Sequence, residues 1–395
     1  MKSGKSGNSK AGKIVIFAIE FVVLAVLAVG LWLVLKATGS ENPGDDPTSA
    51  QKGVQKISIN EKEFKETFNE GVKENETLKG YRNIALFGVD SREGQLTQKT
   101  RTDTIMIASI NLETKEVKLV SVYRDTYLNQ MGSTEDYGKC NASYAFGGAE
   151  QSMKMLNANL DMDITDFITI GFSGLTDTID ALGGVYIDVD EEEIKHINNY
   201  QIEMVSKGVA DSYQAVDKTG YQLLDGLQAT AYCRIRYTAG NDFKRTERQR
   251  EVLKATLTQA KQASATDLAK ICNNVFSEVY TSLDLSEVLE LLTEITSYNI
   301  TEDGGFPTAG QITTGLIGTE GSCVIPLSLE SNVQWLHEFL FDDKDYVPSE
   351  NVKKYSQTIY NETNPYLNGS ATIKDTNEYT DESTGGNTDD TSDGE

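Results

Sequence analysis

Ile14 to Leu35 form a 22-residue apolar stretch interrupted only by Glu20. As a helix rising about 1.5 Å per residue they extend roughly 33 Å, enough to cross a hydrocarbon core. Lys2, Lys5, Lys10 and Lys13 precede the stretch and only Lys36 follows it immediately. That asymmetry predicts a cytoplasmic N-terminus, with the rest of the chain outside the cell membrane. A cleaved signal peptide would carry a shorter apolar region of about 7–15 residues, so a retained single-pass anchor is the expectation. Glu20 sits near the cytoplasmic end, within reach of headgroups. Everything after Leu35 is therefore expected to fold in an extracellular setting.

Composition divides the remainder. Residues 1–13 form a basic cytoplasmic stretch, 14–35 the transmembrane helix, and 36–80 a polar linker with a charged helix. A folded unit is expected over 81–349 and an acidic, disordered tail over 350–395. Ala371–Glu395 carries eight acidic residues and one lysine with almost no apolar side chains, too little to offset its ordering entropy. Across 395 residues, 60 acidic against 36 basic side chains give a charge of −24. No broad basic footprint for nucleic acid exists. His196 and His337 are the only histidines, which excludes a multi-histidine metal site.

Short apolar runs at 82–89, 103–110 and 116–123 read as strands, the last two joined in a hairpin by the polar segment NLETK. Helical spacing follows at 142–160. A strand is expected at 167–172, a helix at 173–182, a Gly183-Gly184 turn, and a strand at 185–189. Further helices are expected at 223–232, 246–263, 267–280, 286–297 and 331–341, with one strand near the CVIPL segment. Alternating strands and helices within one unit predict an α/β fold, a central sheet flanked by helices on both faces. The hairpin makes that sheet mixed.

All nine arginines lie between positions 82 and 250. Four are Arg82, Arg92, Arg101 and Arg124; five are Arg234, Arg236, Arg245, Arg248 and Arg250. Arginine's planar fork binds phosphate oxygens two at a time, whereas lysine mainly supplies a solvated charge. Arg234–Arg250 holds six basic residues against Asp242 and Glu247, a local +4 in an acidic chain. Arg234 and Arg236, two apart on an extended segment, share a face; Arg245 and Gln249, four apart, share a helical one. Taken singly, each arginine is better explained by pairing with a nearby carboxylate on a solvated surface. Two clusters together point to a multiply charged phosphate.

Asp90 follows one strand and Asp103 opens the next. If those strands are antiparallel neighbours, the two carboxylates meet at one end of the sheet. Two carboxylates with phosphate oxygens and water suit Mg²⁺, or Mn²⁺ in its place. Alone, each aspartate would read as an ordinary turn or cap residue.

The segments GVDSR (88–92), RTDT (101–104), RDT (124–126), KCNASYAFGGAE (139–150), DALGGV (180–185) and AYCRIRYTAGNDFKRTERQREVL (231–253) resemble LytR–CpsA–Psr proteins in order and spacing. The resemblance covers a motif core over 81–260. It implies an extracytoplasmic enzyme tethered by one helix. The implied reaction moves a glycopolymer (teichoic acid, capsule or similar) from a polyprenyl-pyrophosphate carrier to peptidoglycan. It implies that Asp90 and Asp103 hold Mg²⁺. It places Arg92, Arg101, Arg124, Arg234, Arg236, Asp242, Arg245 and Gln249 around the pyrophosphate. Asp90, Asp103, Arg124, Arg234 and Arg236 would be the catalytic set. Hydrolysis of the same donor, or non-catalytic sensing of lipid-linked sugars in a transcription-attenuator role, use much of the same site. An outward topology and the acidic charge argue against direct DNA regulation. A prenyl chain also needs apolar lining, for which the helix at 142–160 offers a stripe, although such a stripe is more often plain core.

Departures from the family pattern are Tyr123, where proline is common before the Arg-Asp pair, and Cys140 and Cys233, where aliphatic residues are common. Outside the membrane, Cys140–Cys233 and Cys272–Cys323 pairing is one expectation and free buried thiols the other.

Overall fold

The computed structural model describes residues 55–56, 59–90, 96–97, 99–132, 136–236, 241–264, 266–268, 271 and 279–367. The expected anchor at 14–35 and the segment after 367 lie outside the described residues. Among those described, no helix is long and apolar enough to cross a membrane.

The chain enters through β1 (Gln55–Lys56) and the short helices α1 (Glu61–Lys65) and α2 (Glu70–Lys73). It then forms β2 (Tyr81–Val89), β3 (Thr102–Asn111) and β4 (Glu116–Val122), an antiparallel meander. The ribbon β5 (Tyr127–Asn129) and β6 (Tyr137–Lys139) leads to α3 (Ala142–Leu160). Next come β7 (Asp166–Ile170), α4 (Phe172–Ala181), β8 (Val185–Val189), α5 (Glu191–Ser206), β9 (Gly220–Leu224), α6 (Gly226–Tyr232) and α7 (Asn241–Ala260). The last part holds β10 (Val279–Thr281), α8 (Leu285–Thr293), β11 (Asn299–Phe306), β12 (Ile312–Ile317), β13 (Gly321–Pro326), α9 (Leu329–Phe341) and α10 (Glu350–Leu367).

The central sheet runs β1-β10-β7-β2-β3-β4-β11. β7 lies parallel to β2 and β11 parallel to β4, so the sheet is mixed, as the hairpin predicted. Side chains alternate along each strand. Phe87, Ile105, Ile107 and Val120 face a core shared with α3, α9 and α10. Ile84, Met106, Ala108 and Leu119 face the other way, where Leu253 of α7 covers them. A separate apolar cluster joins α4 to α7 beneath the β8–β9 ribbon. Gly226 permits the closest approach there, since a Cβ at that position would lie 2.1 Å from the Thr176 carbonyl oxygen.

Three sequence expectations are corrected. Residues 223–224 end β9, and helix α6 starts only after Asp225, whose carboxylate caps it in a reciprocal box with Gln228. The helix drawn through Tyr280 gives way to β10, whose Tyr280 pairs with Thr169 of β7. The tail boundary at 350 cuts off α10, which buries Val352, Tyr355 and Ile359 on one helical face. A polar knot holds it. Buried Asp161 accepts from Asn69 Nδ2 at 2.5 Å, Ser349 N at 2.8 Å and Ser349 Oγ at 2.7 Å, while Asn351 donates to Asn69 at 2.6 Å.

His337 is fully buried in the same region, stacked on Tyr346 with ring centres 3.5 Å apart. Its Nε2 lies 3.0 Å from the Leu160 carbonyl oxygen and must donate to it, while Nδ1 has no hydrogen-bond partner among the described residues. Burial holds its pKa down at about 4. The unfolded chain takes up this proton near pH 6.5, so the stability that His337 contributes is complete above that pH and drains as pH falls toward 4. The loss is expected to be about 3 kcal/mol across that window. His337→Gln, which keeps a donor but does not titrate, should flatten the urea-unfolding profile between pH 6.5 and 4. An unchanged slope would remove His337 as its source.

Candidate phosphate site

Five strands place their chemistry at one end of the sheet. The C-terminal ends of β2, β4, β7 and β11 and the start of β3 meet there. Asp90 follows β2 and is exposed. Asp103 sits in the irregular step where the β2–β3 register shifts. The β3–β4 pairing sets Met106 against Ser121, and continuing it three residues brings Asp103 opposite Arg124. The two meet: Arg124 Nη1 lies 2.5 Å from Asp103 Oδ1.

Helix α7 and the segment before it supply the other side. Arg236 Nη2 lies 3.3 Å and Arg245 Nη1 3.9 Å from Asp103 Oδ1, and Arg245 Nη2 donates to the Asp103 carbonyl oxygen at 2.9 Å. Asp242, one turn before Arg245, approaches Arg245 at 3.5 Å, Arg124 at 3.6 Å and Arg236 at 4.0 Å. Behind Arg124, Asp125 lies 3.4 Å from its Nε and 3.4 Å from Lys139 Nζ. Three guanidinium groups and Lys139 thus share Asp103, Asp242 and Asp125, leaving one positive charge in excess within the cluster.

The electrostatics agree. Burial alone would raise Asp103 and Asp242, but Arg245, Arg124 and Arg236 outweigh it and hold both below the usual carboxylate range. Arg245, 2% exposed, is lowered to about 10 by burial and by the two neighbouring arginines. It still carries its proton at neutral pH. Its Nε, like that of Arg124, is buried without a hydrogen-bond acceptor among the described residues. Buried N–H groups without acceptors are costly, so an anion entering here would relieve both charge and hydrogen-bonding deficits.

The other candidate residues are placed differently. Arg234 turns to Glu203 at 3.1 Å rather than to Asp103. Gln249 donates to the Cys233 carbonyl at 3.5 Å, and its own oxygen is buried with no hydrogen-bond partner among the described residues. Arg101 is exposed. Arg92 lies outside the described residues. Outside the candidate set, Arg82 pairs with Asp166, Arg248 with Glu193 and Arg250 with Asp303, each holding elements together. Sequence reasoning missed Lys139 and the aromatic neighbours of Arg234, Phe172 and Tyr200, which carry no pattern of their own.

Hard-oxygen donors fit a divalent cation here. All three arginine contacts to the Asp103 carboxylate fall on Oδ1, leaving Oδ2 outside them, and Asp90 stands at the same sheet end. Among the described residues no group of three or more metal ligands occurs. The rest of a coordination shell would come from phosphate oxygens and water, the usual habit of Mg²⁺.

Tyr123 fills the space above Gly305, where a Cβ would come 2.1 Å from its hydroxyl, and its ring meets Phe243 edge-on at 4.6 Å. Cys140, Cys233 and Cys323 are free and buried, which corrects the Cys140–Cys233 pairing. The first packs in the main core and donates to the Tyr123 and Arg124 carbonyls, whereas Cys233 belongs to the α4–α7 cluster. Cys272 lies outside the described residues.

The LytR_cpsA_psr family model matches residues 47–305. The polyisoprenyl-teichoic acid–peptidoglycan teichoic acid transferase TagU of Halalkalibacterium halodurans is 34% identical over 211 residues, covering 53% of this chain and 63% of that protein. This chain therefore spans less than two-thirds of that relative's length. The corresponding TagT of Bacillus subtilis strain 168 is 27% identical over 293 residues, covering 73% of this chain and 83% of its own. A solved TagT structure with bound octaprenyl pyrophosphate lipid superposes with a TM-score of 0.52 at 22% identity, over 73% of this chain and all of that one. That likeness concerns the fold.

Proposed function

The chain belongs to the LytR_cpsA_psr family, and from that premise we propose that it transfers a teichoic acid-type glycopolymer from a polyprenyl-pyrophosphate carrier to peptidoglycan, acting outside the cell from a single N-terminal membrane helix. One observation carries the reading: Arg124, Arg236 and Arg245 converge on two carboxylates with positive charge to spare. Relatives named as teichoic acid transferases support the substrate class.

Phosphoryl transfer asks the protein for positioning and for donors aimed where charge develops. The acceptor hydroxyl oxygen forms a bond to the phosphorus next to the sugar. The bond from that phosphorus to the bridging oxygen breaks, and polyprenyl phosphate leaves with its electron pair and, in the net reaction, the proton. Arg124, Arg236 and Arg245 would hold the diphosphate and stabilise the leaving oxygen. Asp242 and Asp103 keep the three guanidinium groups together before the donor arrives. Asp90 and Asp103 would hold Mg²⁺ or Mn²⁺, which when bound would neutralise phosphate charge.

The test uses the full chain in proteoliposomes with a synthetic polyprenyl-pyrophosphate saccharide, Mg²⁺ and uncross-linked peptidoglycan, read by mass spectrometry. A saccharide-phosphate adduct on the glycan is expected, lost on chelation and restored by Mg²⁺. Released saccharide phosphate without an adduct would indicate hydrolysis. Neither product from folded protein would sink the enzyme reading.

A further inference from the structure

We infer that Phe172, Tyr200 and Glu203 form a clamp that fixes Arg234 so that one edge of its guanidinium stays open for a phosphoryl group of the donor. The inference rests on the function proposed above and assigns positioning residues to it.

The Arg234 guanidinium carbon lies 4.7 Å from the Phe172 ring centre and 4.9 Å from that of Tyr200. Both rings attract a cation through their faces and restrict the plane of the fork. Glu203 Oε1 accepts from Arg234 Nη2 at 3.1 Å. Lys207, one turn on, pairs with the same carboxylate and tethers it. With Nη2 engaged, Nη1 is buried and has no acceptor among the described residues. A guanidinium held only for stability would be expected to satisfy that donor, because a buried N–H without an acceptor is penalised.

Placement supports a ligand at that edge. Phe172 opens α4 two residues after β7 ends, and Ile170 at the end of β7 pairs with Gly88, two residues before Asp90. Tyr200 and Glu203 stand three apart on α5 and so share a face. Arg236, which does reach Asp103, is two residues from Arg234. The clamp therefore opens at the same end of the sheet as the three-arginine cluster, as a second station for negative charge.

The experiment titrates inorganic pyrophosphate calorimetrically into the full chain in detergent micelles. Tyr200→Leu and Glu203→Ala are expected to weaken binding about 10-fold, whereas Tyr200→Phe and Glu203→Gln stay within about 3-fold because the ring and the acceptor oxygen survive. Melting temperatures check that each variant is folded. Should Tyr200→Leu fail to fold, Glu203→Ala on the partly exposed face of α5 carries the test. Wild-type binding with both disruptive variants unchanged would overturn the clamp and leave the proposed function standing. Tighter binding by both Glu203 variants would reduce Glu203 to a competing charge and also overturn it. Absence of binding by wild type would sink the phosphate reading of the whole site, and the clamp with it.

Discussion

Arg124→Ala is expected to lower transfer from a polyprenyl-pyrophosphate saccharide by about 10²–10³-fold, the scale seen when one preorganised donor is removed from an oxyanion-stabilising site. Arg124 is the common partner of Asp103, Asp125 and Asp242. Removing it leaves two carboxylates facing the phosphate with less charge to balance them. The effect should fall mainly on turnover, since Arg236 and Arg245 remain to bind the ground-state diphosphate. Arg124→Lys should recover little, because an ammonium group cannot reach several acceptors from one planar fork. Single-turnover kinetics on the folded variant is the measurement. Activity within a few-fold of wild type would remove Arg124 from the reacting centre.

Part of this arrangement was readable in advance, because short apolar runs bounded by polar segments mark strands. The runs of β2, β3 and β4 and the NLETK hairpin were legible, and the antiparallel pairing of β2 with β3 brings the start of β3, with Asp103, to the end of β2 that precedes Asp90. Polar or glycine-rich elements escaped. β11 has the sequence NITEDGGF, which reads as a loop until its parallel pairing with β4 is known. α5 opens with three glutamates and carries a polar middle, and its role emerges from the capping box at Asp190 and the packing of Ile197 and Met204. α10 was hidden by its nearness to the acidic tail, although Val352, Tyr355 and Ile359 recur at helical spacing.

The arginines were the harder case. Composition drew attention to two clusters but could not sort them. Arg245 and Arg248 stand one turn apart on α7, yet one faces Asp103 and Asp242 and the other faces Glu193. The deciding partners, Glu193 for Arg248 and Asp303 for Arg250, lie more than 50 residues away in the chain. Long-range pairs of that kind leave no local pattern. Pairing with carboxylates thus accounts for Arg82, Arg248 and Arg250 within the same set that supplies the candidate site, although Arg248 and Arg250 make their pairs buried rather than on a solvated surface.

Arg248→Met is expected to destabilise the protein by about 3–5 kcal/mol, the range for breaking a buried ion pair from one side. Arg248 and Glu193 are 2% and 5% exposed, and Arg248 Nε donates to Glu193 Oε1 at 2.8 Å. The second carboxylate oxygen of Glu193 accepts from the Asp190 backbone at 3.0 Å, closing the cap of α5. Loss of the guanidinium would strand a buried charge at a helix start. Replacing both partners, Glu193→Leu with Arg248→Met, should recover most of the loss, because the desolvation cost of the pair disappears with it. The shortfall should be about 1 kcal/mol, the usual value of a lost cap. Urea unfolding of the two single variants and the double variant measures the coupling directly. The outcome bears on the site as well as on stability. If Arg248→Met costs the expected amount, the Glu193 pair sets the rotation of α7 and thereby aims Arg245 at Asp103. If it costs less than about 1 kcal/mol, the pair is dispensable, and the Arg250–Asp303 bridge at 2.8 Å must hold that helix in register.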